Sequence, residues 1–181
     1  MKDNIVMIGF MGCGKTTVGE QLADVLEYQF LDTDLYIEEK EQRSISRIFE
    51  EKGESYFRDL ETKSLEELVE QTTHTIISSG GGLPLQEKNA KLLQKLGFVV
   101  YLRVKKETVL KRLEGDTTRP LLACDNPAQK VEKLLNFRDP VYEAGAHLVI
   151  DVDDKIVSEI VEEIVRNYKI VKYGIAEENE A

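Results

Sequence analysis

Cysteine is nearly absent: Cys13 and Cys124 are the only two in 181 residues. Set so far apart, they form neither a disulfide framework nor a zinc pattern. Cys13 reads as a small tolerated loop residue, not a nucleophile. Histidine is equally scarce, and His74 and His147 have no carboxylate or cysteine neighbour at ligand spacing. Both read as structural or surface residues. No apolar run approaches the length of a membrane-spanning helix. The run 5–8 is too short for the h-region of a signal peptide. These absences predict a soluble protein of a reducing cytoplasm with no membrane partner. Positive charge is also in deficit, with 24 basic against 34 acidic residues and a formal net charge of -10. That balance argues against nucleic acid as a partner. Repeats and long linkers are missing too. What remains is a 41% hydrophobic chain, near the usual size of one domain and able to bury a core without disulfides.

The richest signal lies near the start. Gly9-Phe10-Met11-Gly12-Cys13-Gly14-Lys15-Thr16 fits G-x-x-x-x-G-K-[ST], a phosphate-binding loop. Chance produces this pattern in a chain of such length less than about one time in a hundred. An apolar run at 4–8 precedes it as a buried strand. Val18, Leu22 and Val25 follow at helical spacing. Glycines let the backbone turn its N–H groups toward an anion at the positive end of that helix. Gly12, Cys13, Gly14, Lys15, Thr16 and Thr17 are therefore the candidate nucleotide contacts. Lys15 can reach the β- and γ-phosphates, and the Thr16 hydroxyl is a candidate Mg²⁺ ligand. The triphosphate is anionic while the chain is acidic, so individual arginines carry unusual information.

Strand and helix patterns alternate along the rest of the chain. Strands are predicted at 28–32, 75–78, 98–102 and 148–151. Residues 34–71 read as helical with breaks near 42–44 and at Gly53. Further helices are predicted at 86–96, 106–114, 127–137 and 156–168, with Gly97 and Gly115 as stops and Pro127 as a first-turn residue. Five strands interleaved with helices imply an α/β fold with a parallel sheet covered on both faces. The chain reads as a single domain over 1–173, with an acidic, frayed tail at 174–181. The polar stretch 115–126 is long enough to be a lid, and it carries Arg119.

Several polar residues stand out against this frame. Asp32 and Asp34 are two apart, so a strand reaching Asp34 puts both carboxylates on one side. Beside a phosphate loop, one can steer Mg²⁺ and the other can orient or deprotonate a hydroxyl. Arg58 with Glu61 fits either a surface ion pair at i, i+3 or a carboxylate clamp held by Glu61. Arg138, before Pro140, fits a helix-end dipole partner. Gly80-Gly81-Gly82 follows a strand directly, and a simple turn needs fewer glycines. Close approach of a ligand to the backbone is the better explanation.

Taken together, these motifs resemble the shikimate kinase family from residue 9 to about residue 153. The resemblance rests on 9–16, on Asp32-Thr33-Asp34, and on Ile48-Phe49 followed by Gly53-Glu54-Ser55-Tyr56-Phe57-Arg58. Gly80-Gly81-Gly82, Thr118-Arg119-Pro120-Leu121-Leu122 and Arg138-Asp139-Pro140-Val141-Tyr142 complete it. It implies a P-loop kinase of the nucleoside-monophosphate-kinase type with strand order 2-3-1-4-5. It also implies ATP-dependent phosphorylation of the shikimate 3-hydroxyl by a monomer, on the way to aromatic amino acids. In such an enzyme Asp34 holds the shikimate hydroxyls and is the candidate base. Arg58 and Arg138 bind the carboxylate, and the Gly80–82 triplet carries a backbone contact at Gly81. Asp32 reaches Mg²⁺ through water, while Lys15 and Arg119 stabilise the transferred phosphoryl group. Two departures stand out. Gln42 replaces a frequent glycine, and the acidic run 151–154 precedes Lys155 where a polar or basic adenine neighbour is usual. A kinase of another polyol acid such as gluconate, and a nucleotide-binding regulator without turnover, are the alternatives. The full set of polar groups favours a shikimate kinase over both.

Overall fold

A computed structural model describes residues 2–114 and 126–174. Five parallel strands form one sheet in the order β2-β3-β1-β4-β5, the order the resemblance implies. They are β1 Ile5–Ile8, β2 Gln29–Asp32, β3 Thr75–Ser78, β4 Phe98–Arg103 and β5 Leu148–Asp151. Around them lie α1 Lys15–Leu26, α2 Thr33–Glu41, α3 Ile45–Gln71, α4 Glu87–Leu96, α5 Lys106–Arg112, α6 Pro127–Gly145 and α7 Val157–Tyr173.

The strand period of two explains why short apolar runs suffice. Ile5 and Met7 of β1 join Phe98, Val100 and Leu102 of β4 in the core beneath α1 and α7. Val6 and Ile8 turn the other way, with Val99 and Tyr101, toward α3 and α4. β1 is central and buried at all four positions. The register aligns Met7, Ser78 and Asp32 across three strands. The carboxyl ends of β1, β2 and β3 therefore open onto one crevice, where strand order reverses. At the opposite edge, buried Asn4 donates to the Leu96 carbonyl at 2.9 Å and accepts from the Thr75 amide at 3.1 Å. That side chain ties three chain segments below the sheet.

The predicted strands match to within a residue; the helices differ more. Residues 34–71 divide into α2 and α3, as the break near 42–44 suggests. Gln42 closes α2 at φ 52, a left-handed conformation that favours glycine. The departure at position 42 thus carries local strain. Ser44 then caps α3, accepting from the Arg47 amide at 3.3 Å. Gly53, at φ 82 and ψ 170, kinks α3 internally. α6 does not stop near residue 137 but runs through Pro140 to Gly145. Pro140 forgoes one ladder bond. Burial of Val131, Leu135, Arg138 and Tyr142 along one face keeps the helix whole. α7 likewise continues past residue 168 until Gly174 stops it at φ 67.

Arg119, Cys124 and nearly all of the expected lid lie outside the described residues. The exception is Asn126, whose side chain caps α6 by accepting from the Gln129 amide at 3.0 Å. The tail beyond Gly174 lies outside them too.

Candidate active site

The phosphate loop joins β1 to α1, and its glycines adopt conformations other residues avoid. Gly9, Gly12 and Gly14 have φ of 147, 75 and 100. Gly14 begins α1 with no side-chain cap. The first-turn amides therefore face outward with no intrahelical acceptor, a ready anion site. Lys15 folds back over its own loop, donating to the Gly9 carbonyl at 2.9 Å and the Phe10 carbonyl at 3.1 Å. Thr16 and Thr17 are exposed. Cys13 is buried beneath the loop.

A hollow of about 640 Å³ runs along this loop to Asp32, Asp34 and the residues after β3. Arg112, Lys155, Val157 and Ile160 line it as well. A similar hollow of about 670 Å³ lies between α1 and α7, around Gln21, Val25 and Glu162. It gathers none of the candidate residues.

Asp32 and Asp34 meet the hollow, but not as neighbours on a strand. β2 ends at Asp32, whose Oδ1 accepts from the Asp34 amide at 2.9 Å and the Leu35 amide at 3.3 Å. Asp32 is the cap that starts α2. Asp34 consequently lies in the first helical turn, where a negative charge is favoured. Between them Thr33 is fully buried, and its hydroxyl accepts from the Gly80 amide at 2.9 Å. The motif Asp32-Thr33-Asp34 carries Thr33 with no role of its own; a hydroxyl residue between two candidate carboxylates is the signal that sequence offers.

Gly80, Gly81 and Gly82 lie where three candidate side chains meet. None has a positive φ. Gly80 and Gly82 each leave room for one candidate side chain, whereas Gly81 meets its neighbours at ordinary contact distance. A Cβ on Gly80 would lie 2.5 Å from Asp34 Oδ1, and one on Gly82 would lie 2.6 Å from Arg58 Nη1. At Gly81 the nearest neighbour of such a Cβ is Arg138 Nη1, at 3.6 Å. Side chains from α2, α3 and α6 thus converge on three successive residues.

The two arginines are not surface residues with incidental partners. Arg58 donates from Nη1 to Glu61 at 2.7 Å and from Nη2 to Glu54 at 3.0 Å. Glu61 is 1% exposed, so this is no solvated helix pair. Burial pushes the Glu61 carboxyl up to about 7, against the pull of Arg58. Arg138 lies in mid-helix, not at a helix end, and is buried. Its guanidinium sits over the Phe10 ring at 5.5 Å, and its Nε has no partner. Among the described residues no carboxylate pairs with it. A buried guanidinium without a counter-charge is poised for an anion.

The remaining residues have structural work. Asp151 pairs with Arg103 through two bonds of 2.6 and 2.8 Å. Asp153 accepts from the Lys105 amide at 3.1 Å and from Thr108 at 2.5 Å. The acidic run after β5 is therefore committed to the fold. His147 Nδ1 accepts from the Val99 amide at 2.9 Å, and His74 packs edge-on to Tyr28.

Comparison with known proteins agrees with this geometry. The family model for shikimate kinase matches residues 11–169. A shikimate kinase of Sulfurihydrogenibium sp. (strain YO3AOP1) is 48% identical over 166 residues, which is 92% of this chain and 98% of that protein. The solved shikimate kinase of Acinetobacter baumannii, in complex with shikimate, superposes with a TM-score of 0.88 at 39% identity, covering 96% of each chain. The enzyme from Aquifex aeolicus vf5 superposes at 0.82 with 34% identity, over 95% of this chain and 99% of that one. A P-loop, a parallel sheet in the order 2-3-1-4-5 and this extent of similarity place the chain in the shikimate kinase family.

Proposed function

We propose that this chain transfers the γ-phosphoryl group of ATP to the 3-hydroxyl of shikimate, yielding shikimate 3-phosphate and ADP. The observation that carries the reading is the convergence of Asp34, Arg138 and Arg58 on Gly80–Gly82, beside the phosphate loop. A small acid bearing hydroxyls matches that set: two guanidiniums for the carboxylate, one carboxylate for a hydroxyl.

The amides of Gly12 to Thr17 cradle the polyphosphate, and Lys15 exchanges its loop carbonyls for phosphate oxygens. The adenosine occupies the end of the hollow near Arg112, Lys155, Val157 and Ile160. Asp34 aligns the 3-hydroxyl and accepts its proton. The hydroxyl oxygen bonds to the γ-phosphorus as the bond to the β–γ bridging oxygen breaks, and ADP leaves with that electron pair. Arg119 is assigned to charge on the transferred group.

Mg²⁺ fits the residues present. The donors near the loop are hard oxygens: the exposed Thr16 hydroxyl and the second oxygen of Asp32, whose Oδ1 is taken by the α2 cap. No group of three or more acidic, cysteine or histidine ligands occurs among the described residues. Mg²⁺ bound mainly through phosphates and water suits that sparse set. When bound, it neutralises charge on the β- and γ-oxygens. The working form is taken to be a cytoplasmic monomer without a nucleic-acid partner. The acidic composition supports the lack of a nucleic-acid partner. Among the described residues no helix is long and apolar enough to cross a membrane.

A coupled ADP-release assay with shikimate, gluconate or no acceptor tests the reading. Release should depend on shikimate and on Mg²⁺. Equal release with gluconate would reassign the acceptor, and release independent of either would overturn the transferase reading.

A further inference from the structure

Three glycines in a row make a loop that loses much conformational freedom on folding, so its ties matter. Gly80 is held at its amide by Thr33 and at its carbonyl by the Leu83 amide. The Gly82 carbonyl accepts from Leu85. Gly81, the middle residue, has one hydrogen bond among the described residues. The Tyr142 hydroxyl donates to its carbonyl at 2.5 Å.

Tyr142 is fully buried. Burial pushes its hydroxyl up to about 12, with Arg138 pulling the other way, so it stays a donor at physiological pH. Its ring packs on Tyr101 at 5.2 Å between centroids. It follows Arg138 by four residues on α6, one turn along the same buried face. The same stretch of rigid helix therefore carries a guanidinium for the acceptor carboxylate and a hydroxyl that grips the Gly81 peptide. The bond holds the Gly81 carbonyl toward α6, and the Gly81 amide, in the preceding peptide unit, has no acceptor among the described residues.

We propose that Tyr142 is a positioning residue for the acceptor. Its hydroxyl fixes the Gly81 carbonyl, and with it the Gly81 Cα, relative to Arg138, so that the amide of Gly81 donates to an acceptor hydroxyl at a set distance from the bound carboxylate. The inference rests on the acceptor assignment given above. It concerns the spacing between two contacts on one small polyhydroxy acid, which a tie to α6 sets and a free glycine loop does not.

The test is Tyr142→Phe, which keeps the ring and removes the hydroxyl. Tyr168→Phe serves as control, removing a buried hydroxyl 3.4 Å from Tyr28 Oη on the far side of the sheet. Wild-type enzyme is assayed first. If it shows no shikimate-dependent ADP release, the functional reading fails, separately from this inference. With wild-type turnover established, Tyr142→Phe should raise the KM for shikimate about tenfold, the worth of one hydrogen bond. The KM for ATP should stay within about twofold, and Tyr168→Phe should leave both unchanged. An unchanged shikimate KM, an equal rise for both substrates, or the same rise in Tyr168→Phe would each overturn the proposal. If Tyr142→Phe does not fold, wild-type NMR decides. Shikimate should shift the Gly81 amide and Tyr142 ring resonances together, while ATP alone leaves them in place. Resonances unmoved by shikimate would overturn it.

Discussion

On the phosphate side of the cleft, the groups that face the hollow are amides of consecutive residues between β1 and α1. On the acceptor side they are Asp34, Arg58 and Arg138, drawn from α2, α3 and α6 and meeting at Gly80–Gly82. The first region is built by local chain conformation and the dipole of one helix. It suits a polyphosphate, which is the same in every nucleotide. The second is built by tertiary packing, with a buried glutamate and a buried arginine. It suits a ligand whose shape must be told from others. On the proposed reading, generic recognition rests mainly on backbone, and specific recognition mainly on side chains held by several elements.

That contrast can be broken at either end, and the largest effect is expected at Lys15. Lys15→Met should lower kcat by a factor on the order of 1,000 with the fold intact, because the proposed mechanism has this side chain stabilise transferred charge. Circular dichroism and the ADP assay together check this; near-normal turnover in a folded variant would remove the phosphate side from the mechanism. Next comes Asp34. If proton abstraction dominates, Asp34→Asn and Asp34→Ala should each lose on the order of a hundredfold in kcat. An Asn variant close to wild type would assign Asp34 to alignment alone.

Arg58→Ala and Arg138→Ala should each raise the shikimate KM roughly ten- to a hundredfold and spare the ATP KM, as for a lost charge-assisted bond. Equal losses for both substrates would erase the distinction between the two sides. Gly82→Ala should act on the same parameter, about tenfold. Its new methyl must displace the Arg58 guanidinium without touching the phosphate loop. A crystal structure with Arg58 unmoved would refute that explanation.

The smallest effect is on stability. Glu61 is held at about 7 by burial, above its ordinary 4.5. Between these values the folded protein binds more protons than the unfolded chain. Stability therefore falls as pH rises across that window and levels off above it. Glu61→Gln should lack this component, which melting curves from pH 5 to 8 would reveal. Parallel curves for the two proteins would contradict the buried, proton-binding state of Glu61.

The two regions also differ in how readily the sequence discloses them. The phosphate loop and the alternating strands are local patterns, and both appear where spacing predicts them. The sheet order and the grouping of Asp34, Arg58 and Arg138 came from resemblance, since no periodicity relates residues this far apart. The strand end at residue 32 and the helix from residue 34 are legible in sequence, but spacing alone cannot show that Asp32 turns its side chain back to cap that helix. The helix predicted at 127–137 stops short of α6 because local propensity does not register the buried face that carries it through Pro140. The glycine triplet stands out in sequence, but the side chains that crowd Gly80 and Gly82 arrive from α2 and α3, which no local pattern shows.

That crowding bears on how such a pocket changes over generations or in a directed-evolution library. Positions 34 and 80, and 58 and 82, form two interlocked couples, each a large side chain beside a missing methyl. Varying position 58 alone leaves a gap that nothing fills; varying position 82 alone meets a guanidinium already in place. New acceptor preferences are therefore reached by moving both members of a couple together. Libraries randomised couple by couple should yield altered pockets that single-site libraries of equal size miss.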